Sequence, residues 1–551
     1  MNVKKRIFIL LSCLLTLLIA ATKFTIIFDM DYDAFANNLA KMQFSTFSIK
    51  DYYYLGFVLF NNLYKSLHNF VPAINWSAFF QVLCSFFAQM LLLYAVVKAF
   101  IRYKVPDYFQ LVFILFVSIV YIDFYLGVTQ TRFSIILTGV ALMLLGMGDR
   151  LSHRRLIVLS CIYMVGALHK PESGLGMLLF TSIGLFVLSP SRILLVWWRY
   201  RLTIIMFMAM VLAFVYDWNN TNLFERKIEP NIEYALSTGR VKSIAEMHTH
   251  EDSLRYKMAM SGMFIDEDFV GIDFLNGLIN YNQSVDWLRL SKSIRQVYSL
   301  ILDSYIYFIY ILFFILAYVI IHTKWRVLFG IFILNGLFAL LLFYTSYKTD
   351  ISHRHMASFI LLISCYNLLL FLKNVKYKRV WLVVFSLILS IGGINTLEKY
   401  AEKNESDCLK LDCYEEVMTN VEDKHVNRFI VLSLFNYNLL DRKLELKTTN
   451  YDKNKYLIYD VTIYSKIPPY NKYLSEICDC NPKDPYQFFK WLESVNALFV
   501  ATDERYKLLE TYMHEVKGKN LRFGDVEYNF KIKCVEDLHV NNFSFRTVNF
   551  D

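Results

Sequence analysis

The stretch MNVKKRIFILLSCLLTLLIAATKFTIIFDMDYDAF, residues Met1–Phe35, decides the fold. Three basic residues, Lys4, Lys5 and Arg6, precede a run that stays mostly apolar to Phe28, and the carboxylates Asp29, Asp31 and Asp33 follow at once. A run of that length and character is long enough to cross a bilayer. A signal peptide cleaved near Ala21 is the other reading, but the apolar character continues past that point, so the run is taken as a span. Either way the basic flank stays inside and the acids emerge outside.

The rest of the chain follows the same pattern. Of its 551 residues, 56% are hydrophobic, 17% aromatic and only 19% charged; a soluble chain carries about a quarter charged. Further apolar runs occur near 76–100, 108–127, 131–147, 155–168, 174–195, 202–216, 299–321, 325–344, 357–373 and 379–396. With the first, that makes about 11 spans. If the N-terminus is inside, the inner loops carry Lys98, Arg102 and Lys104; Arg150, Arg154 and Arg155; Arg192, Arg199 and Arg201; Lys324 and Arg326; and Lys373, Lys376, Lys378 and Arg379. Every inner end is then basic, as the distribution of Lys and Arg around spans requires. The net charge of +9 belongs to topology. No basic patch of nucleic-acid spacing is present, so no nucleic-acid partner is expected.

Residues 52–74 are aromatic but broken by Asn61, Asn62, Lys65 and His68. A crossing here would turn every later basic cluster outward, so the segment is expected to lie at the interface or re-enter. The first external loop then spans 29–75. Residues 217–298 form a polar external insertion in which Asp266-Glu267-Asp268 interrupt an apolar stretch, and 397–551 form a polar tail. Strand-like runs at Phe429–Leu434 and Ala497–Ala501, with a helix-like run at Glu504–Val516, predict a small α/β domain there. The expected fold is a polytopic α-helical membrane protein, N-terminus in and C-terminus out. Its transmembrane module is 1–396 and its extracytoplasmic domain 397–551.

Cys13, Cys84, Cys161 and Cys365 fall in spans as small core residues. Cys408, Cys413, Cys478, Cys480 and Cys534 fall in the tail, an odd set that predicts one or two disulfides and a thiol left over if the tail is external. The spacing Cys478-Asp479-Cys480 does not suit zinc.

Carboxylates at the end of a span are costly to desolvate and mark candidate sites. One of them could deprotonate an acceptor hydroxyl as a general base; alternate acids could also hold a divalent cation. No other cofactor is expected. The plainer alternative is an acidic loop that only helps orientation. Four cations sit at outer span ends, against the topological trend: Arg132, Lys170 (preceded by His169), Lys348 and Arg354. They call for an anion, and a lipid-linked phosphate suits them. Side chains that snorkel and pair with Glu172 or Asp350 are the plainer account. His248 and His250 do not share a helix face and have no evident further ligands, so no metal site is expected. Trp197 and Trp198 read as an interfacial aromatic pair.

The motif Asp29-Met30-Asp31-Tyr32-Asp33-Ala34-Phe35 resembles the first-loop motif of GT-C glycosyltransferases. It is similar to the D-x-D-Y of GPI mannosyltransferases, the D-Y-E-A of dolichol-pathway glucosyltransferases, and the acid-Tyr-x-Ala of bacterial lipid-A-modifying transferases. Thr131-Arg132 with His169-Lys170-Pro171 resembles the T-R…(T/H)-K pattern of the bacterial members. Arg354-His355-Met356 resembles their R-Y-x-x-P, with His355 for the Tyr and no Pro. The resemblance covers about residues 6–396 and implies a polyprenyl-phosphate-sugar donor and a lipid or glycan acceptor in a bacterial cytoplasmic membrane. It also implies Asp31 as catalytic base, Asp29 as its helper, and Asp33, Arg132, His169, Lys170 and Arg354 as substrate contacts; Lys348 joins them as a candidate substrate contact on its charge and place alone. The Gln-Thr-Arg…His pattern is similar to polysaccharide polymerases of the O-antigen and exopolysaccharide type, which gives the first alternative function. A transporter or flippase of lipid-linked sugars is the second; the odd number of spans and the lack of repeated halves speak against it.

Overall fold

The structure, a computed structural model, describes residues 3–24, 26–28, 69–147, 152–188, 193–220, 241–261, 268–278, 332–337, 353–374, 378–424, 430–433, 456–459, 477–481, 484–533 and 540–551, with single positions between them. It is mostly helical, and among the described residues four helices are long and apolar enough to cross a membrane. The run expected at 299–321 lies outside the described residues apart from Ile315, as do about half of 325–344 and most of 52–74.

The helical part is built from α1 (Val3–Lys23), α2 (Trp76–Arg102), α3 (Asp107–Leu126), α4 (Gln130–Met147), α5 (His153–His169), α6 (Pro171–Leu188), α7 (Ile193–Asn220), α10 (His353–Asn374) and α11 (Lys378–Lys424). Two short helices, α8 (His250–Met260) and α9 (Ile272–Leu278), belong to the insertion. At the centre is α4, apolar on all sides and buried at every position from Thr131 to Leu145. It packs against α2, α5, α6, α7 and α10. A helix apolar all round must be buried or lipid-facing, and here neighbours take every side.

Contacts between helix ends fix their directions. At one end the Lys5 ammonium meets Asp107 Oδ1 at 2.8 Å, Arg102 Nη1 donates to the Met147 carbonyl at 3.1 Å, and Arg199 Nη1 lies 3.4 Å from the carbonyls of Leu145 and Gly146. Two arginines thus serve the carbonyls that the end of α4 leaves unpaired, where the helix dipole favours positive charge. Tyr108 reaches the Arg379 carbonyl at the same end. At the other end the strands β1 (Ile27–Phe28) and β2 (Gly127–Val128) pair in parallel, Ile27 with Gly127 and Phe28 with Val128. Ser134 Oγ there donates to the Gly166 carbonyl at 2.6 Å, and Tyr400 to that of Val120 at 3.2 Å. So α1, α3, α5, α7 and α11 run one way, and α2, α4, α6 and α10 run back. α1 ends at the end of the bundle where α2 begins.

Polar pairs join α1 to α2 and α3 inside the apolar packing. Ser12 Oγ and Ser118 Oγ lie 2.8 Å apart, Gln89 Nε2 donates to Thr16 Oγ1 at 3.1 Å, and Tyr125 donates to Gln89 Oε1 at 2.9 Å. Such bonds join helices where apolar burial alone gives little preference. Outward faces keep apolar stripes. On α11, Val380, Val383, Leu387, Ile391 and Ile394 are exposed at helical spacing, a pattern suited to lipid.

The structure differs from the sequence expectation at two boundaries. The run 174–195 contains the end of α6 at Leu188 and the start of α7 at Ile193, which continues to Asn220. The tail expected from 397 begins instead as an unbroken continuation of α11 to Lys424. Its apolar stripe stops at Ile394 while Glu398, Lys399 and Glu402 carry the helix on. These are good helix formers with no Gly or Pro among them. Hydropathy marks where the lipid-facing surface ends and is blind to where the helix ends.

The C-terminal residues form a five-stranded sheet of β3 (Ile430–Ser433), β4 (Tyr456–Tyr459), β5 (Leu498–Ala501), β6 (Leu521–Lys533) and β7 (Val540–Phe550), in the order β4-β3-β5-β7-β6. β3 is parallel to β4 and β5, and β7 is antiparallel to β5 and β6. Helices α12 (Pro485–Ser494) and α13 (Asp503–Glu515) pack against it. Phe488, Phe489, Phe499, Leu509 and Phe545 are fully buried in this unit. Cys478 and Cys480 are free thiols here, so neither supplies a disulfide expected of the tail. Burial of Cys478 pushes its thiol well above the ordinary range, which disfavours the thiolate that disulfide exchange requires. Cys534 and the side chains of Cys408 and Cys413 lie outside the described residues.

The insertion docks on this unit. Asp266 accepts from the Tyr512 hydroxyl and pairs with Lys517 Nζ at 2.8 Å. The Phe269 and Tyr512 rings lie 5.4 Å apart, Arg255 stands over Phe269 at 5.0 Å, and His250 sits 3.3 Å from Glu515.

Candidate functional site

The end of the bundle marked by β1 and β2 holds a buried polar cluster among the described residues. Asp123 lies in the last turn of α3, whose capping Gly127 N–H bonds back to the Asp123 carbonyl. The chain then runs extended through β2, and Thr129 Oγ1 caps α4 by accepting from the Arg132 N–H at 3.3 Å. This turn brings the Arg132 guanidinium back onto Asp123. Arg132 Nη1 lies 3.2 Å from Asp123 Oδ2, with the side chains 1% and 2% exposed, and it also donates to the Asp123 carbonyl. The guanidinium stands 5.4 Å from the Phe124 ring centre.

Neither charge suits its helix. A carboxylate near a helix C-terminus and a guanidinium near an N-terminus each oppose the local dipole, by about 0.3–1 kcal/mol per group. Taking both from water costs several kcal/mol more per ion, which pairing offsets only with good geometry. Local stability therefore does not account for this pair. A paired acid and base inside a membrane-type bundle is a functional candidate by default.

Other sequence-flagged residues share this end. His169 is buried at the end of α5, its Nδ1 2.7 Å from the Val165 carbonyl and its ring edge-on to Phe133 at 4.9 Å. Lys170 follows as the half-buried C-cap of α5, its N–H donating to the Gly166 carbonyl at 3.2 Å. Arg354 belongs to the first turn of α10, and Ser358 one turn later donates to the Arg132 carbonyl at 3.3 Å. Asp29, Asp31, Asp33 and Lys348 lie outside the described residues. Asp29 is nevertheless bonded directly to Phe28, whose strand is fixed to the β2 segment four residues before Arg132.

Asp123 is the residue that sequence reasoning missed. Its signal was available: it is the one acid between Leu111 and Leu126, deep in an apolar run, and such residues mark sites with a nearby partner. His250, flagged by the His-x-His spacing, faces Glu515 on the C-terminal unit. Among the described residues no group of three or more metal-type ligands converges.

No protein-family model matches the chain, and comparison with curated proteins and with solved structures gives no match.

Proposed function

We propose that the protein is an integral membrane glycosyltransferase of the GT-C type. It moves a sugar from a polyprenyl-phosphate donor to a lipid-linked or envelope glycan acceptor at the external face of a bacterial cytoplasmic membrane. The chain crosses the membrane about 11 times, with its basic helix ends inside and the C-terminal α/β unit outside. Asp31, helped by Asp29, takes the proton of the acceptor hydroxyl as the acceptor oxygen bonds to the anomeric carbon. The bond from that carbon to the phosphate oxygen breaks, and the phosphate leaves with the electron pair. Lys170, Lys348 and Arg354 stabilise its charge, with His169 and Asp33 at the substrate. Asp123 neutralises and fixes Arg132, so Arg132 contributes an oriented dipole rather than a loose cation. The insertion, docked on the C-terminal unit through Asp266, frames the approach of the lipid substrates.

The observation that carries this reading is the meeting of two connections at one helix-bundle end. The β1–β2 pairing fixes Phe28, the residue that precedes Asp29 in the sequence, at the α3–α4 turn, and the Ser358 bond brings the start of α10 to Arg132. The test uses purified protein with a panel of polyprenyl-phosphate sugars. Turnover by the wild type that disappears in Asp31→Asn is the expected result. The polymerase alternative has one observation in its favour, since Arg132 and His169 are both buried at this end. Turnover that survives Asp31→Asn would shift the assignment to it.

A further inference from the structure

Helix α7 turns one face to the bundle and the other away from it. Tyr200, Thr203 and Phe207 are buried; Tyr200 donates to the Leu142 carbonyl at 2.9 Å, and Thr203 Oγ1 lies 2.8 Å from Ser160 Oγ. The opposite face carries Trp198, Ile205, Met208 and Leu212, all more than half exposed, with Arg201 half-buried among them. These five positions follow one another at i, i+3, i+7, i+10 and i+14, so they form a single stripe along the helix. An exposed stripe of this kind on a membrane-type bundle suits lipid. Arg201 is its charged member.

The Arg201 guanidinium lies over the Trp198 ring, 3.9 Å from the ring centre. Trp198 is one turn nearer the start of α7, the end at which Arg199 serves the carbonyls of Leu145 and Gly146. The side chain therefore bends out of the apolar stripe toward the basic end of the bundle, as long cationic side chains do at a membrane surface. The two arginines differ in what they meet. Arg199 Nη1 has backbone acceptors within the protein, whereas Arg201 Nη1 is shielded from solvent with no acceptor among the described residues. A ring face attracts the cation but is a poor hydrogen-bond acceptor. The Trp198 seat thus holds the guanidinium in place and leaves its donors for an oxyanion, and phosphate oxygens match that donor geometry.

We propose that Arg201, seated on Trp198, binds the phosphate of an anionic glycerophospholipid in the leaflet at the basic end of the bundle, with one acyl chain along Ile205, Met208 and Leu212. The lengths agree. From Arg201 to Leu212 the helix rises about 16 Å, half of a hydrocarbon core of about 30 Å and so the depth of one leaflet. The charges agree as well, one phosphodiester to one guanidinium. Basic residues at the membrane surface select anionic head groups, each giving about a fivefold preference. The site lies at the other end of the bundle from the Asp123–Arg132 cluster and stands whatever reaction that cluster serves.

The test compares phosphatidylglycerol, phosphatidylcholine and inorganic phosphate on the full-length protein in detergent, with bound lipid counted by native mass spectrometry. Phosphatidylglycerol should be retained in preference to phosphatidylcholine. Arg201→Gln should weaken phosphatidylglycerol about fivefold and leave phosphatidylcholine unchanged. Trp198→Leu keeps the charge and the apolar surface but removes the seat, and it should weaken phosphatidylglycerol too. Arg155, exposed at the same end on α5, supplies the control: Arg155→Gln removes an equal charge and should leave retention as it is. Both α7 positions face away from the bundle, so the melting temperature without added lipid should stay that of the wild type. Equal retention of the two lipids, no response to Arg201→Gln, an equal response to Arg155→Gln, or competition by inorganic phosphate as effective as by phosphatidylglycerol would overturn the proposal.

Discussion

Arg132 and Asp123 stand nine residues apart in the chain and face each other at 3.2 Å across the turn between two antiparallel helices. Removing one member leaves the other charged in a site that water does not reach, and such losses run to about 3–5 kcal/mol. Asp123→Ala and Arg132→Ala should each lower thermal stability in detergent strongly. The double variant Asp123→Leu/Arg132→Met should recover most of the loss, because no orphan charge remains. A thermodynamic cycle over the four proteins measures this. Additive losses would mean that the two side chains do not act as a pair.

The close contact of α4 with α5 depends on a residue with no side chain. A Cβ at Gly166 would stand 2.8 Å from Thr138 Cγ2 and 3.0 Å from the Ser134 carbonyl oxygen, and Ser134 Oγ bonds the Gly166 carbonyl across the same seam. Gly166→Ala should therefore destabilise the bundle by about 1–3 kcal/mol, the usual range for overpacking. Thr138→Ser removes the clashing methyl and keeps the hydroxyl that bonds the Ser134 carbonyl at 2.7 Å. Combined with Gly166→Ala, it should restore part of the loss in a thermal unfolding assay. No restoration would place the strain elsewhere.

How far the sequence reveals this protein depends on the range of the interactions. Span positions were legible because apolarity is local: the runs expected at 108–127 and 357–373 appear as Asp107–Leu126 and His353–Asn374. The central place of α4 was not legible, since nothing in its own residues says that five neighbours will cover it. The role of Asp266 was hidden for the same reason, its Tyr512 partner lying 246 residues away. Asp266 had been visible only as an acid interrupting an apolar stretch. The candidate site was half legible. Arg132 and Lys170 stood out against the charge trend of the loops and His169 through the resemblance of its motif, whereas Asp123 needed its pairing to Arg132 to give it meaning.

The docking of the insertion on the C-terminal unit should depend on pH. Burial pushes the Asp266 carboxyl up, but hydrogen bonds from Lys517 and Tyr512 outweigh it and hold the group below its ordinary value. A carboxylate depressed in the folded state adds stability that is complete above the ordinary carboxylate pKa of about 3.9 and is lost as pH falls through the lower folded value. Docking should be constant at neutral pH and weaken below about pH 4. The distance between spin labels on α8 and α13 would report it. Asp266→Asn should dock more weakly at neutral pH and show a flat profile. An unchanged pH response in that variant would assign the dependence to another group.

One hydroxyl organises the centre of the C-terminal sheet. The Tyr506 oxygen accepts from the Ala501 N–H at 3.0 Å and lies 2.7 Å from the Phe499 carbonyl and 2.6 Å from that of Ser544. It therefore ties both ends of β5 to α13 and to its neighbour β7. Tyr506→Phe keeps the buried ring, which contacts Phe523 at a 4.5 Å centroid distance, and removes only the oxygen. The Ala501 N–H is then left without that acceptor, and a buried group in that state costs about 1–3 kcal/mol. Hydrogen exchange read peptide by peptide should show faster exchange in β5 and β7, with the bundle helices α3 and α4 unaffected. Equal acceleration in the bundle would mean that the C-terminal unit and the helices unfold as one cooperative body.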